Sequence, residues 1–102
     1  MSEYSVTGTL PIGFEIDGKR YKEFSIRPSV LRDSVEAIEE LGGEVSGVRL
    51  RYAVMTRRLS FTGLEQEHVT SDLLMGLLDR DGFALELASD AVEKKLDELS
   101  SS

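Results

Sequence analysis

Between Tyr4 and Ile16 every even-numbered residue is apolar or small (Tyr4, Val6, Gly8, Leu10, Ile12, Phe14, Ile16), and every odd one is polar, Gly or Pro. Alternation with period two over this length puts one face in a core and the other in water, so the segment reads as β-strand. Asp17-Gly18 follows at once, and a second short run, Tyr21, Phe24 and Ile26, ends at Pro28. The chain therefore opens with an antiparallel hairpin over about residues 4–27, and the rest of the sequence must cover its apolar face.

Parity constrains the turn. A two-residue Asp-Gly loop would set even positions opposite odd ones and turn Phe24 and Ile26 away from Leu10, Ile12 and Phe14. A three-residue loop with Gly18 in the left-handed conformation pairs Glu15 with Lys19, Leu10 with Phe24 and Gly8 with Ile26, so a bulged turn is expected. Pro11 lies on the polar face and cannot donate a ladder bond, which points to an outward-facing position or a bulge.

From Pro28 the period changes. Pro28 and Ser29 suit a helix start, and Leu31, Val35, Ile38 and Leu41 recur at helical spacing until Gly42-Gly43 stops the helix. Glu44 to Gly47 reads as a loop. Val48, Leu50, Tyr52 and Val54 alternate like a third strand, while Leu50, Ala53, Val54 and Arg57 fit a helix face with Ser46 as N-cap. Ala53, Met55 and the arginines favour the helix. Ser60 to Gly63 breaks the pattern. Thr70 or Ser71 can cap a short helix carrying Leu73, Leu74, Leu77 and Leu78. Asp81-Gly82 is expected to separate it from a last helix with Phe83, Leu87, Ala91, Val92, Leu96 and Leu99 on its apolar face. The expected fold class is α+β: one domain over residues 1–102, with the N-terminal hairpin packed against about four helices. The helical part runs over about 28–98, with a frayed tail at 99–102.

Composition narrows the chemistry. The absence of cysteine excludes disulfides and thiol catalysis. No basic segment followed by an apolar core opens the chain and no apolar run approaches the ~20 residues of a membrane span, so a soluble, intracellular protein is expected. The net charge is −7 and unevenly spread: residues 29–44 carry −4, residues 45–63 carry +4 with no acid, and residues 64–82 return to −4. An acidic chain is a poor general ligand for nucleic acid.

Catalytic and metal motifs do not assemble. Asp79-Arg80-Asp81-Gly82 resembles part of a calcium loop, but the first and last ligand positions of that frame fall on Leu77 and Ala88, so a helix-breaking turn is the better reading. His68 is the sole histidine and reads as a polar residue before the short helix. The carboxylate pairs Glu39/Glu40 and Glu65/Glu67 fall on faces expected to be solvated. Residues 42–47 lack the lysine of a phosphate loop, and no serine has a His–Asp relay. The expectation is a protein with no enzyme activity, no cofactor and no metal.

Two surface features point instead to a partner. Arg51, Arg57 and Arg58 belong to a basic island (Arg49 is its fourth member) whose first reading is pairing with the acidic first helix. Its second reading is capture of an acidic partner segment, and phosphate binding comes last. Leu73, Leu74, Leu77 and Leu78 have apolar character on both sides of a short helix. They read first as core, and otherwise as a groove for another chain's helix, with Met75 between them. These seven residues form the expected partner-binding set.

In order and spacing, Leu10-Pro11-Ile12, Ile16-Asp17-Gly18-Lys19-Arg20-Tyr21, Phe24-Ser25-Ile26-Arg27-Pro28, Leu59-Ser60-Phe61-Thr62-Gly63-Leu64 and Thr70-Ser71-Asp72-Leu73-Leu74 resemble the tail assembly chaperones of Mu-like phages. The resemblance spans residues 6–87. It implies a phage- or prophage-encoded protein that acts in the cytoplasm of the bacterial host and keeps the long helical tape measure protein soluble during tail morphogenesis. It also implies a contact with tail tube protein through a frameshifted extension, as in many relatives, and it carries no catalytic residues. The competing expectation is a structural tail or head–tail completion protein retained in the virion, with a nucleic-acid-binding regulator third. Oligomeric state is left open by the sequence.

Overall fold

The computed structural model describes residues 3–43 and 47–101. Strand β1 (Val6–Ile16) and strand β2 (Lys19–Ile26) form the expected N-terminal hairpin. Helices α1 (Leu31–Glu40) and α2 (Val48–Arg58), strand β3 (Leu59–Phe61), a 3₁₀ turn at Gln66–His68, helix α3 (Ser71–Met75) and helix α4 (Asp79–Ser100) follow. The fold is α+β: an antiparallel sheet in the order β1-β2-β3, with four α-helices among the described residues.

The hairpin turn differs from the bulged loop expected. Ile16 pairs with Lys19 across a two-residue Asp17-Gly18 turn in which both residues have positive φ (51° and 80°). The conflict of faces is resolved further along the strand. The register shifts between Thr9 and Phe14, after which Gly8 faces Phe24 and Val6 faces Ile26. Pro11 lies in that bulge, where its missing N–H leaves no ladder bond unmade. The bulge lets Leu10 and Phe24 share the core while Phe14 stacks on Tyr21 at 5.6 Å and meets Phe61 edge-on at 5.0 Å.

Ser60 does not break the structure as expected. Leu59, Ser60 and Phe61 pair with Ile26, Ser25 and Phe24 as the third strand, which the segment at 48–58 does not supply because it is helical. The outward carbonyl of Leu59 accepts the Gln66 amide at 2.8 Å and that of Phe61 accepts the Leu64 N–H, so this edge is occupied by its own chain.

Helix α1 starts later than Pro28. Val30 is its N-cap, and Asp33 at the third helical position returns its carboxylate to the Val30 N–H at 2.8 Å. Gly42 (φ 69°) and Gly43 end it as a Schellman motif, Gly43 N–H reaching Ile38 O and Gly42 N–H reaching Glu39 O. The expected inward face is corrected. Asp33 and Ala37 are buried, whereas Leu31 is 87 % exposed and Val35 is also exposed. The salt bridge from Arg27 to Asp33 fixes this phase, placing Leu31 and Val35 on the opposite side of the helix. For α2 the N-cap within the described residues is Gly47; the expected cap Ser46 and most of the Glu44–Gly47 loop lie outside them.

Asp81-Gly82 likewise belongs to the first turn of α4 and is no helix break. Asp81 is fully buried, and the inward face of α4 continues through Leu85, Ala88 and Val92. Phe83 and Leu87, expected inside, are exposed. The helix runs to Ser100, past the start of the expected frayed tail. The core joins Leu10, Phe24, Ile26, Leu59 and Phe61 from the sheet to Met55, Leu74, Leu85, Ala88 and Val92 from the helices. No helix among the described residues is long and apolar enough to cross a membrane.

Candidate partner-binding groove

The arginine island is divided among three environments. Arg57 lies between α1 and α2, bonded to Glu40 at 3.0 Å and 3.5 Å from Glu36, while its Nη1 also donates to Ala53 O. Glu40 accepts the Ser71 hydroxyl at 2.7 Å through its other oxygen, so one carboxylate ties α1, α2 and α3 together. The Ser71 bond first, then Arg57, holds the Glu40 carboxyl below its ordinary range against the opposing effect of burial.

Arg58 is buried. Its Nε donates to Arg27 O and its Nη1 to Ser89 Oγ, whereas Nη2 has no protein partner. Burial pushes its pKa down, partly opposed by Glu93. Arg27 completes the cluster: its guanidinium grips Asp33 at 2.8 and 2.9 Å and donates to the carbonyls of Pro28 and Arg57. Those side-chain bonds, with Val30 N–H assisting, hold Asp33 below the usual carboxylate range despite its burial. A cleft of about 600 Å³ lies over this region, with Arg27, Arg57, Glu36, Glu40 and Asp72 in its walls. Of the island, Arg57 pairs with Glu36 and Glu40 of the first helix, the first reading, and Arg27 beside it holds Asp33, which leaves both poorly placed to hold a phosphate.

Arg51 is different. It is half exposed and binds Glu86 of α4 at 2.9 Å, with its guanidinium 5.8 Å from the Tyr52 ring centroid. The Tyr52 hydroxyl donates to the other Glu86 oxygen at 3.2 Å. Tyr52 and Glu86 of this bridge line a groove of about 290 Å³, while Arg51 itself stands outside the lining. Val48 and Tyr52 of α2 form one side, Leu74, Met75, Leu77 and Leu78 the α3 side, and Asp79, Gly82, Phe83 and Glu86 of α4 the other.

The expected leucines are thus split. Leu74 is core, Leu73 and Leu77 are half-buried, and Leu78 is 57 % exposed at the groove mouth. Leu74, Leu77 and Leu78 meet in the groove, Arg51 binds its lining residue Glu86, and Arg57 and Arg58 lie elsewhere. Residues outside the expected set complete the apolar surface: Val48 and Met75 are exposed, Phe83 is 68 % exposed, and Leu87, one turn beyond, is 69 % exposed. Their signal in the sequence was a helical phase starting at Asp79, which puts Phe83 and Leu87 opposite Leu85, Ala88 and Val92.

A short helix and a tight connection shape this side of the groove. Thr70 caps α3 by accepting the Leu73 N–H, and Gly76 ends it after five residues. Leu78 then caps α4 with its backbone, its carbonyl receiving the Asp81 and Gly82 N–H groups. Among the described residues no three His, Asp or Glu side chains converge as metal ligands. His68 is exposed on the 3₁₀ turn.

No protein-family model matches the chain, and neither a curated protein nor a solved structure matches it at a significant level.

Proposed function

We propose that this protein is a tail assembly chaperone of the Mu-like phage type, a non-enzymatic binder that keeps a helical tape measure protein soluble in the bacterial host cytoplasm until tail-tube subunits enclose it. The observation carrying this reading is the groove between α2, α3 and α4, where Val48, Met75, Leu78 and Phe83 expose contiguous apolar surface on an otherwise acidic chain. Apolar surface gathered in one concavity suits the apolar face of a client helix. A net charge of −7 keeps copies apart from one another while a client is held. Modest affinity per site suffices where many copies act along one long client. The order of hairpin, acidic helix and short leucine-rich helix adds the resemblance described above.

The second reading, a completion protein kept in the particle, is favoured by one observation: Val30, Leu31 and Val35 expose another apolar stripe on α1, outside the groove walls, as a subunit with two neighbours requires.

Co-expression with the tape measure protein of the same virus or prophage tests the proposal. The client is expected in the soluble fraction only when this protein is present, and purified particles are expected to lack it. A client equally soluble alone overturns the chaperone reading, and recovery of the protein in particles selects the completion reading.

A further inference from the structure

The groove has a sign as well as a shape. Among the described residues lining it, the charged side chains are Asp79 and Glu86. Glu86 is held by Arg51 and Tyr52, but Asp79 forms no ion pair among the described residues. Asp90, one turn beyond Leu87 on the outer face of α4, is likewise exposed and forms no ion pair among them. The Tyr52 hydroxyl senses the same field: burial raises its pKa first, and the charges of Glu86 and Asp79 raise it further against Arg51. A second copy of this chain, itself of net charge −7, would set like charge against Asp79 and Asp90, so charge disfavours self-association here.

We infer that the groove binds an amphipathic helix of another polypeptide whose apolar face is flanked by lysine or arginine. The inference rests on the client-binding reading above and specifies the client's chemistry. Phe83 and Leu87 stand at i,i+4 spacing and extend the apolar floor one turn past the groove, toward Asp90. A bound helix lies with its apolar side chains on Met75, Leu78, Phe83 and Leu87 and its cations toward Asp79 and Asp90. Apolar contact supplies most of the affinity, and the carboxylates set the encounter rate and the choice of partner.

The test uses the full chain and a fluorescein-labelled model helix of about 18 residues, long enough for five turns, with leucine on one face and lysine at its borders. A second probe has glutamate in place of lysine. Fluorescence anisotropy is expected to show binding of the lysine probe, weakened by salt, and no binding of the glutamate probe. Phe83→Ser with Leu87→Ser is expected to weaken the lysine probe by roughly tenfold or more. Leu31→Ser with Val35→Ser, at the other exposed stripe, leaves binding unchanged. Asp79→Asn with Asp90→Asn weakens it several-fold and flattens the salt dependence. These side chains are exposed, so urea transitions coincident with the parent's are the expected check that the variants stay folded.

Equal binding of both probes overturns the inference, as does lysine-probe binding indifferent to the Phe83/Leu87 change. So does a concentration-dependent dimer of the parent, seen by sedimentation, that this change abolishes, because the patch then belongs to a second copy. The co-expression assay separates the two proposals. If the Phe83/Leu87 variant still keeps the tape measure protein soluble, the groove assignment fails and the chaperone reading stands. If the parent binds the lysine probe as described but leaves that client insoluble, the groove stands and the chaperone reading fails.

Discussion

The Asp81 carboxylate accepts the backbone N–H of Gly13 at 3.0 Å, and its other oxygen accepts the N–H of Ile12 at 2.9 Å, joining the first turn of α4 to the bulge of β1. The contact solves two problems together. A bulge leaves backbone donors without a strand partner, and a helix N-terminus favours negative charge. Asp81→Ala strands both donors against a buried surface and is predicted to cost roughly 3–5 kcal/mol, since hydrogen bonds to a charged group are each worth about 1.5–3 kcal/mol. That is a large part of the about 5–15 kcal/mol available to a domain of this kind. A urea transition near that of the parent would refute this role.

Gly13 is fixed by the same bulge. Its φ is +81°, and a Cβ there would lie 2.4 Å from the Tyr21 carbonyl oxygen. Gly18 has nearly the same φ but nothing within 4 Å of the Cβ position. Gly13→Ala is therefore predicted to destabilise by more than Gly18→Ala, the latter costing about 1 kcal/mol from backbone conformation alone. Paired thermal melts decide, and equal losses would mean that the bulge yields freely to a side chain.

Reversal of charge in the arginine island has different consequences at each position. Arg58→Glu puts a carboxylate into a buried site facing Glu93 and Asp33 and removes the bonds to Arg27 O and Ser89. A loss of about 3–5 kcal/mol is expected, enough to unfold a marginal domain. Arg49→Glu, on an exposed residue with no ion pair among the described residues, is expected to stay within about 0.5 kcal/mol of the parent. Circular dichroism at fixed urea distinguishes them. Any binding assay on an Arg58 variant reports folding first.

Acid should weaken the protein in a specific window. Asp33 and Glu40 have carboxyl groups held below their ordinary values, chiefly by Arg27 and by Ser71 respectively. A depressed folded-state pKa gives stability that is complete above the unfolded value, near pH 4–5, and that is lost as pH falls through the folded value. The urea midpoint is predicted to be level in this contribution above about pH 5 and to fall below it. Asp33→Asn should lower the plateau and reduce the acid slope. An unchanged slope would remove Asp33 from the account.

Sequence patterning revealed the hairpin because alternation from Tyr4 to Ile16 has one structural meaning, and it revealed α2 because Ala53, Met55 and the arginines outweigh two valines. Strand β3 was hidden by its length: Leu59, Ser60 and Phe61 are too few to show a period, and only pairing with β2 defines them. The inward faces of α1 and α4 depart from hydropathy at Leu31, Val35, Phe83 and Leu87 for one shared reason, while Val92 and Leu96 of the expected α4 face do meet the core. Each buries an aspartate, Asp33 or Asp81, held by donors from distant segments, and hydropathy treats an aspartate as a surface mark. Once those carboxylates point inward, Leu31, Val35, Phe83 and Leu87 must point out. The groove was half legible. Leu74, Leu77 and Leu78 stood out as a cluster, whereas Val48 and Phe83 join them only through tertiary packing.

Leu74 and Leu78 are four residues apart and offer opposite outcomes to the same substitution. Leu74 is 3 % exposed and belongs to the core, so Leu74→Asp buries a charge without a partner and is predicted to abolish cooperative unfolding. Leu78 is the backbone N-cap of α4, with φ −68° and ψ 151° and no side-chain cap bond. Aspartate is among the best residues there, because its carboxylate can accept a first-turn N–H and face the positive end of the helix dipole. Repulsion from the neighbouring Asp79 offsets part of that gain. Leu78→Asp is therefore predicted to leave stability unchanged or raise it by up to about 1 kcal/mol, while removing an apolar side chain from the groove mouth. Thermal melts of the two variants check the pair. Unfolding of Leu78→Asp would mean that this leucine is held as tightly as Leu74 and that the groove is closed at its mouth.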